Sequence, residues 1–147
     1  MTQATQLTSP LSPDHAPVWM AEVIEWARDT GATDLHFFPA EKDAALWARF
    51  DGELTEVARF SLAIHERMIA RLKVLARCAD YDGELVQEGR FSLHGGDTAA
   101  GEARLSVIPT IRGDKAVVRL LAGNGRRLKL DEVGFAVELV AVLRDSV

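Results

Sequence analysis

The dipeptide Asp51-Gly52 does most to limit how this chain can fold, because it stands between two strand-like runs, AALWARF and ELTEVARF. Asp-Gly accepts the positive φ angles of a two-residue hairpin loop whose twist matches its strands, so it predicts a tight antiparallel pair. TDLHFFP, followed by the polar AEKDA, reads as a strand just before that hairpin. GRFSLHGG, GEARLSVIPT and DKAVVRLL read as three more, joined by GGDTAAG and by a turn at Arg112-Gly113. Helical spacing marks PVWMAEVIEWARDTGA, where Trp19, Val23, Trp26 and Ala27 share a face, Pro17 suits the first turn and Gly31 the stop. A second helix starts at Ser61 and runs to about Arg77, with Ile64, Met68, Ile69, Leu72, Leu75 and Ala76 as its apolar stripe. Asp82-Gly83 closes the loop after it, and a final helix begins near Asp131 and continues to the end of the chain. The order is helix, three strands, helix, three strands, helix, with most connections too short for crossovers. An α+β fold follows: a single domain with a largely antiparallel sheet of about six strands and flanking helices.

A chain of 147 residues, 48% of them hydrophobic, is enough for one compact domain that buries roughly two-thirds of its unfolded surface. Seventeen basic against 22 acidic residues leave a net charge of −5, which provides no general attraction to a phosphate backbone and argues against nucleic acid as a partner. Cys78 is the one cysteine, so an intrachain disulfide and a cysteine-based zinc site are excluded, and a reducing, cytoplasmic setting is expected. Residues 1–17 lack the basic start and apolar core of a secretory signal and read as a flexible arm. Charges such as Arg119 and Glu138 break the longest apolar stretches well short of the ~20 residues that span a bilayer, so no transmembrane segment is expected.

Catalytic patterns are missing from the sequence itself. The phosphate-cradling Gly-x-x-x-x-Gly-Lys-Ser/Thr does not occur, and the glycines of GGDTAAGE lie between strands with no helix behind them. His15, His36, His65 and His94 form no His-x-x-x-His pair and are expected at the surface or at strand edges, with no metal site. No serine sits on a nucleophile turn. An independent enzyme is not expected, and no cofactor is assigned to this chain alone.

The strings taken together resemble a known family. GATDLHFFP is similar to the (A/S)-S-D-I-H-(I/L)-E-P strand that opens the amino-terminal domain of the GspE/PilB assembly ATPases of type II secretion and type IV pili. In the family's order there follow ARFDGEL for R-F-R-x-D-G-x-L, RLKVLA for R-(L/I)-K-V-(L/M)-A, and VQEGRF for P-Q-D-G-R-(F/I). RLSVIPT then resembles R-V-S-(T)-x-P-T, GDKAVVRLL resembles G-E-(K/R)-x-V-(L/M)-R-L-L, and LKLDEVGF resembles L-x-L-x-x-L-G. The departures are specific: Trp47 and Phe38 replace an arginine and an acid, Glu88 replaces an aspartate, and DYDGELV stands for D-I-A-E-R-R-x-P.

This resemblance implies a PAS-like domain over residues 18–135 and a terminal helix, 136–147, that would lead into a RecA-like motor. It also implies that Arg104 and Arg119 match arginines contributed to the phosphates of nucleotide bound at the motor, with ATP and magnesium the ligands of the full-length family. A guanidinium stays charged and presents a planar fork of donors to phosphate oxygens. The competing structural reading turns both arginines to the solvent face of the sheet or pairs them with acids such as Glu102 and Asp114. Arg49, Arg71, Lys73 and Arg90 are the implied subunit-interface positions, although Arg71 and Lys73 also suit the solvated side of their helix. The implied partners are a motor domain or neighbouring subunit in a hexameric ring and inner-membrane platform proteins, with a cytoplasmic or peripheral location. Two alternatives remain open. One is an adaptor with a ligand or peptide pocket lined by residues such as Phe37, Trp47 and Leu93; the other is an inactive fragment.

Overall fold

The computed structural model describes residues 7, 12–78, 85–93, 101–121 and 134–145. Most of the arm, the loops holding Asp82-Gly83 and GGDTAAG, His94 and the expected helix start at Asp131 lie outside the described residues. A 3₁₀ turn, Pro13–His15, leads into α1 (Ala16–Thr30). Pro17 occupies its first turn, and Gly31 closes it at φ 76°, with its N–H on the carbonyls of Ala27 and Arg28. β1 (Asp34–Pro39), β2 (Ala44–Phe50) and β3 (Glu53–Phe60) follow. Asp51 and Gly52 take φ 48° and 91°, the left-handed pair that the hairpin needs.

α2 (Leu62–Leu75) starts where Ser61 Oγ accepts the Ile64 N–H. It stops short of Arg77, which itself adopts φ 53° and cannot extend a right-handed helix. β4 (Gln87–Leu93), β5 (Gly101–Thr110) and β6 (Gly113–Leu121) complete the sheet, and α3 spans Val137–Asp145. Gly134 sits in a turn at φ 86° just ahead of α3.

The six strands form one antiparallel sheet in the order β3-β2-β1-β6-β5-β4. The fold is α+β, as expected. Each triplet is a meander, and the β1–β6 ladder joins the two triplets. α1 and α2 cover one face, where Leu35, Phe37, Leu46, Leu105, Val107 and Val118 meet Met20, Val23, Met68 and Leu72 in a dry core. Each such side chain contributes on the order of 1.5–3 kcal/mol through burial. Trp19 adds an edge-on contact with Phe60 at 5.2 Å between centroids.

Three expectations change on this face. His65 is not at the surface: it is 2% exposed on the flank of the Ile69 and Leu72 stripe, with Nε2 2.7 Å from the Asp114 carbonyl. Lys73 is not solvated either, since its Nζ pairs with Asp114 Oδ2 at 2.9 Å and ties α2 to the β5–β6 turn. Phe37 and Leu93 are core residues, whereas alternation sends Trp47 to the opposite face, so these three line no common pocket. Among the described residues, no helix is long and apolar enough to cross a membrane.

Candidate functional site

Alternation that buries Leu35, Leu105 and Val118 turns their neighbours Asp34, Arg104 and Arg119 to the other face. Register then sets them side by side. Arg49 stands opposite Asp34, Asp34 opposite Arg119, Arg119 opposite Arg104, and Arg104 opposite Arg90. One cross-strand row thus carries four arginines and a single carboxylate over β2, β1, β6, β5 and β4. Neighbouring strands are about 4.8 Å apart, so the three arginines of β6, β5 and β4 lie within reach of one extended anion. This local excess of positive charge sits in a chain whose net charge is −5.

Asp34 organises the inner end of the row. Its side chain is 6% exposed, and Oδ1 accepts from Arg119 Nε at 2.9 Å. Oδ2 accepts from the Thr33 hydroxyl at 2.9 Å and lies 3.4 Å from Arg49 Nε. Burial alone would raise the carboxyl's pKa, but the hydrogen bonds from Arg119 and Thr33 and the charge of Arg119 outweigh it and hold the group below its ordinary value. Arg49 also donates from Nη1 to the Gly52 carbonyl at 2.8 Å, which anchors it to the hairpin turn. Arg119 engages through Nε only, its side chain is 65% exposed, and none of the described residues bonds its two terminal nitrogens.

Arg104 is held differently. Its Nη2 donates to Glu88 Oε2 at 2.7 Å, and Glu88 Oε1 accepts from the Ser106 hydroxyl at 3.3 Å. Hydrogen bonding and charge from Arg104 lower the Glu88 pKa. Arg90 Nη1 is 3.8 Å from Glu102 Oε2, and its side chain is 65% exposed. Both arginines turn to the open face and pair with acids, as the structural reading has it, but the acids are Glu88 for Arg104 and Asp34 for Arg119 in place of Glu102 and Asp114. Glu88 reaches Arg104 on the diagonal between strands, and Asp34 lies on a strand far away in sequence, so neither follows from adjacency.

An aromatic strip borders the row. His36 and Phe38 stack at 5.8 Å with planes 7° apart, Lys115 Nζ lies 4.5 Å from the Phe38 centroid, and Trp47 stands opposite His36. Phe38 and Trp47 are half-buried here, neither core nor fully open. Burial lowers the His36 pKa despite the Asp34 charge beside it. The implied interface positions divide between two faces: Arg49 and Arg90 belong to the row, whereas Arg71 and Lys73 are on α2 across the sheet. Lys73 lines a cleft of about 360 Å³ with His65, Arg112 and Asp114. Arg71 borders a smaller one, of about 230 Å³, between α1, α2 and β4. Among the described residues, no group of His, Cys, Asp and Glu is arranged to hold a metal ion.

Asp34 and Glu88 do not stand out in the sequence as partners of the two arginines. The sequence signal for Asp34 was a charged residue at a strand start, and only register reveals its role.

A model of the family described as Type II/IV secretion system protein matches residues 13–146. The type IV pilus assembly ATPase PilB of Pseudomonas aeruginosa is 32% identical over 135 residues, which is 90% of this chain and 24% of that protein. The type II secretion system ATPase E of Vibrio cholerae is 34% identical over 125 residues, covering 84% of this chain and 25% of its own length. The chain thus spans about a quarter of these curated relatives. The X-ray structure of the Legionella pneumophila ATPase DotB shares the fold, with a TM-score of 0.57 at 15% identity over 79% of this chain and 32% of that one. By its sequence, the chain belongs to the type II/IV secretion system protein family.

Proposed function

We propose that this domain is a non-catalytic module of a secretion or pilus assembly ATPase that docks on a motor domain or neighbouring subunit and directs Arg104 and Arg119 to the phosphates of nucleotide held there. The observation that supports this reading is the unbroken run of Arg119, Arg104 and Arg90 on adjacent strands. Like charges placed directly opposite each other weaken a ladder; Asp34, Glu88 and Glu102 offset this row in part, and a bound polyanion would offset it further. Guanidinium forks suit phosphate oxygens and keep their charge at any physiological pH. Two of them on a domain that swings over a motor would make closure depend on nucleotide. On this reading the chain breaks no covalent bond, ATP with magnesium is the motor's ligand, and the inner-membrane platform is met through the assembled machine.

The test is a calorimetric titration of a non-hydrolysable ATP analogue with magnesium into a motor domain from the same source, with and without this chain. Wild type should tighten binding, and Arg104→Ala/Arg119→Ala should lose that gain. Charge-assisted bonds of about 1.5–3 kcal/mol each predict at least a tenfold difference. Equal affinities with wild type and double variant would remove the phosphate role.

A further inference from the structure

The two arginines differ in readiness. Arg119 is aimed by buried Asp34 through Nε, which leaves its terminal nitrogens pointing away from that contact without a described partner. Arg104 has another arginine opposite it on each side, and its one hydrogen-bonded carboxylate is Glu88 on the next strand. That carboxylate is 53% exposed, stands diagonally from Arg104, and receives a second bond from Ser106. Two oxygens taking donors from Arg104 and Ser106 reproduce, in geometry and charge sign, what a phosphate edge would offer them.

We propose that Glu88 is a specificity-determining residue: it occupies the anion position at Arg104 and must be displaced by the ligand. The inference rests on reading Arg104 and Arg119 as a phosphate-binding pair. A small monoanion at Arg104 exchanges one singly charged acceptor for another and gains little. A polyphosphate that also reaches the terminal nitrogens of Arg119 gains contacts Glu88 cannot supply, so it alone displaces the carboxylate. Glu88 is exposed and can swing into water without opening the core. The chemical class selected is therefore an extended polyphosphate, and orthophosphate is rejected.

The experiment titrates sodium tripolyphosphate, and separately orthophosphate, into the whole chain while the arginine Nε–Hε resonances are followed by NMR, which reads millimolar as well as tighter binding. Glu88→Gln should bind tripolyphosphate about threefold to tenfold more tightly than wild type and bind orthophosphate measurably, which narrows the preference between them. Glu41→Gln, which removes the same charge from the exposed β1–β2 turn, should change neither. The gain should vanish when Arg104→Ala is added. If Glu88→Gln matches Glu41→Gln, or its gain survives Arg104→Ala, the displacement role is overturned, and the phosphate reading stands as long as Arg104→Ala and Arg119→Ala still weaken binding. If neither arginine variant weakens binding to the chain alone, the displacement role falls, and the phosphate role is decided by the titration with the motor domain. Glu88 and Glu41 are exposed, so both variants should fold as wild type, and their amide spectra will report any exception.

Discussion

Nε2 of His65 faces a carbonyl oxygen that can only accept, so this nitrogen carries a proton. Nδ1 is then a buried acceptor with no hydrogen-bond partner among the described residues, and adding a proton there would bury a donor with nothing to receive it. Burial is the main cause that pushes the His65 pKa down, opposed by the bond and charge of Asp114. A histidine whose folded pKa lies below its unfolded value of about 6.5 stabilises fully above that pH and progressively less as pH falls through the folded value. His36 shifts in the same direction, so the two effects add. The midpoint of urea unfolding should therefore be lower at about pH 5.5 than at about 7.5, and His65→Gln should reduce that difference. An unchanged difference would mean that His65 is not titrating in the core. None of this was legible from the residue alone, because the partner of His65 is a backbone carbonyl 49 residues away. Asp34 was opaque for the same reason: it holds an arginine 85 residues distant.

At the scale of elements, local chemistry spoke clearly wherever a turn or cap was sufficient. Asp51-Gly52, the Ser61 cap and the Gly31 stop are where the sequence put them, since each depends on a few adjacent backbone angles. β5 matches GEARLSVIPT along its whole length, because alternation and the turn after Thr110 leave little freedom. What could not be read was how elements meet. Gly89 lies against the end of α2, where an added Cβ would collide with the carbonyl oxygen and Cβ of Ala76. Gly89→Ala should cost about 1–3 kcal/mol by forcing α2 and β4 apart, measurable as a lower thermal midpoint. A neutral result would show that this junction yields without cost. The same junction places β4, and with it Glu88 and Arg90, at a defined height relative to the rest of the row.

For the molecule as a whole, the antiparallel α+β class followed from short connections, but the strand order did not. Two meanders can be placed edge to edge in several ways, and only long-range packing chooses the β1–β6 seam. That seam closes late in synthesis. Until the segment forming β6 has left the ribosome, β1 has β2 on one side and an open edge of unpaired backbone groups on the other. A fragment of residues 1–112, which ends before β6, should fail to unfold cooperatively and should self-associate, as sedimentation would show; a monomeric, cooperative fragment would refute this. The order of translation thus decides when the basic row exists at all. Arg49 and Asp34 are made early, but a nascent chain has no polyphosphate-sized run of cations until its last strand arrives, so a partially made domain lacks the row on which the proposed phosphate contact depends.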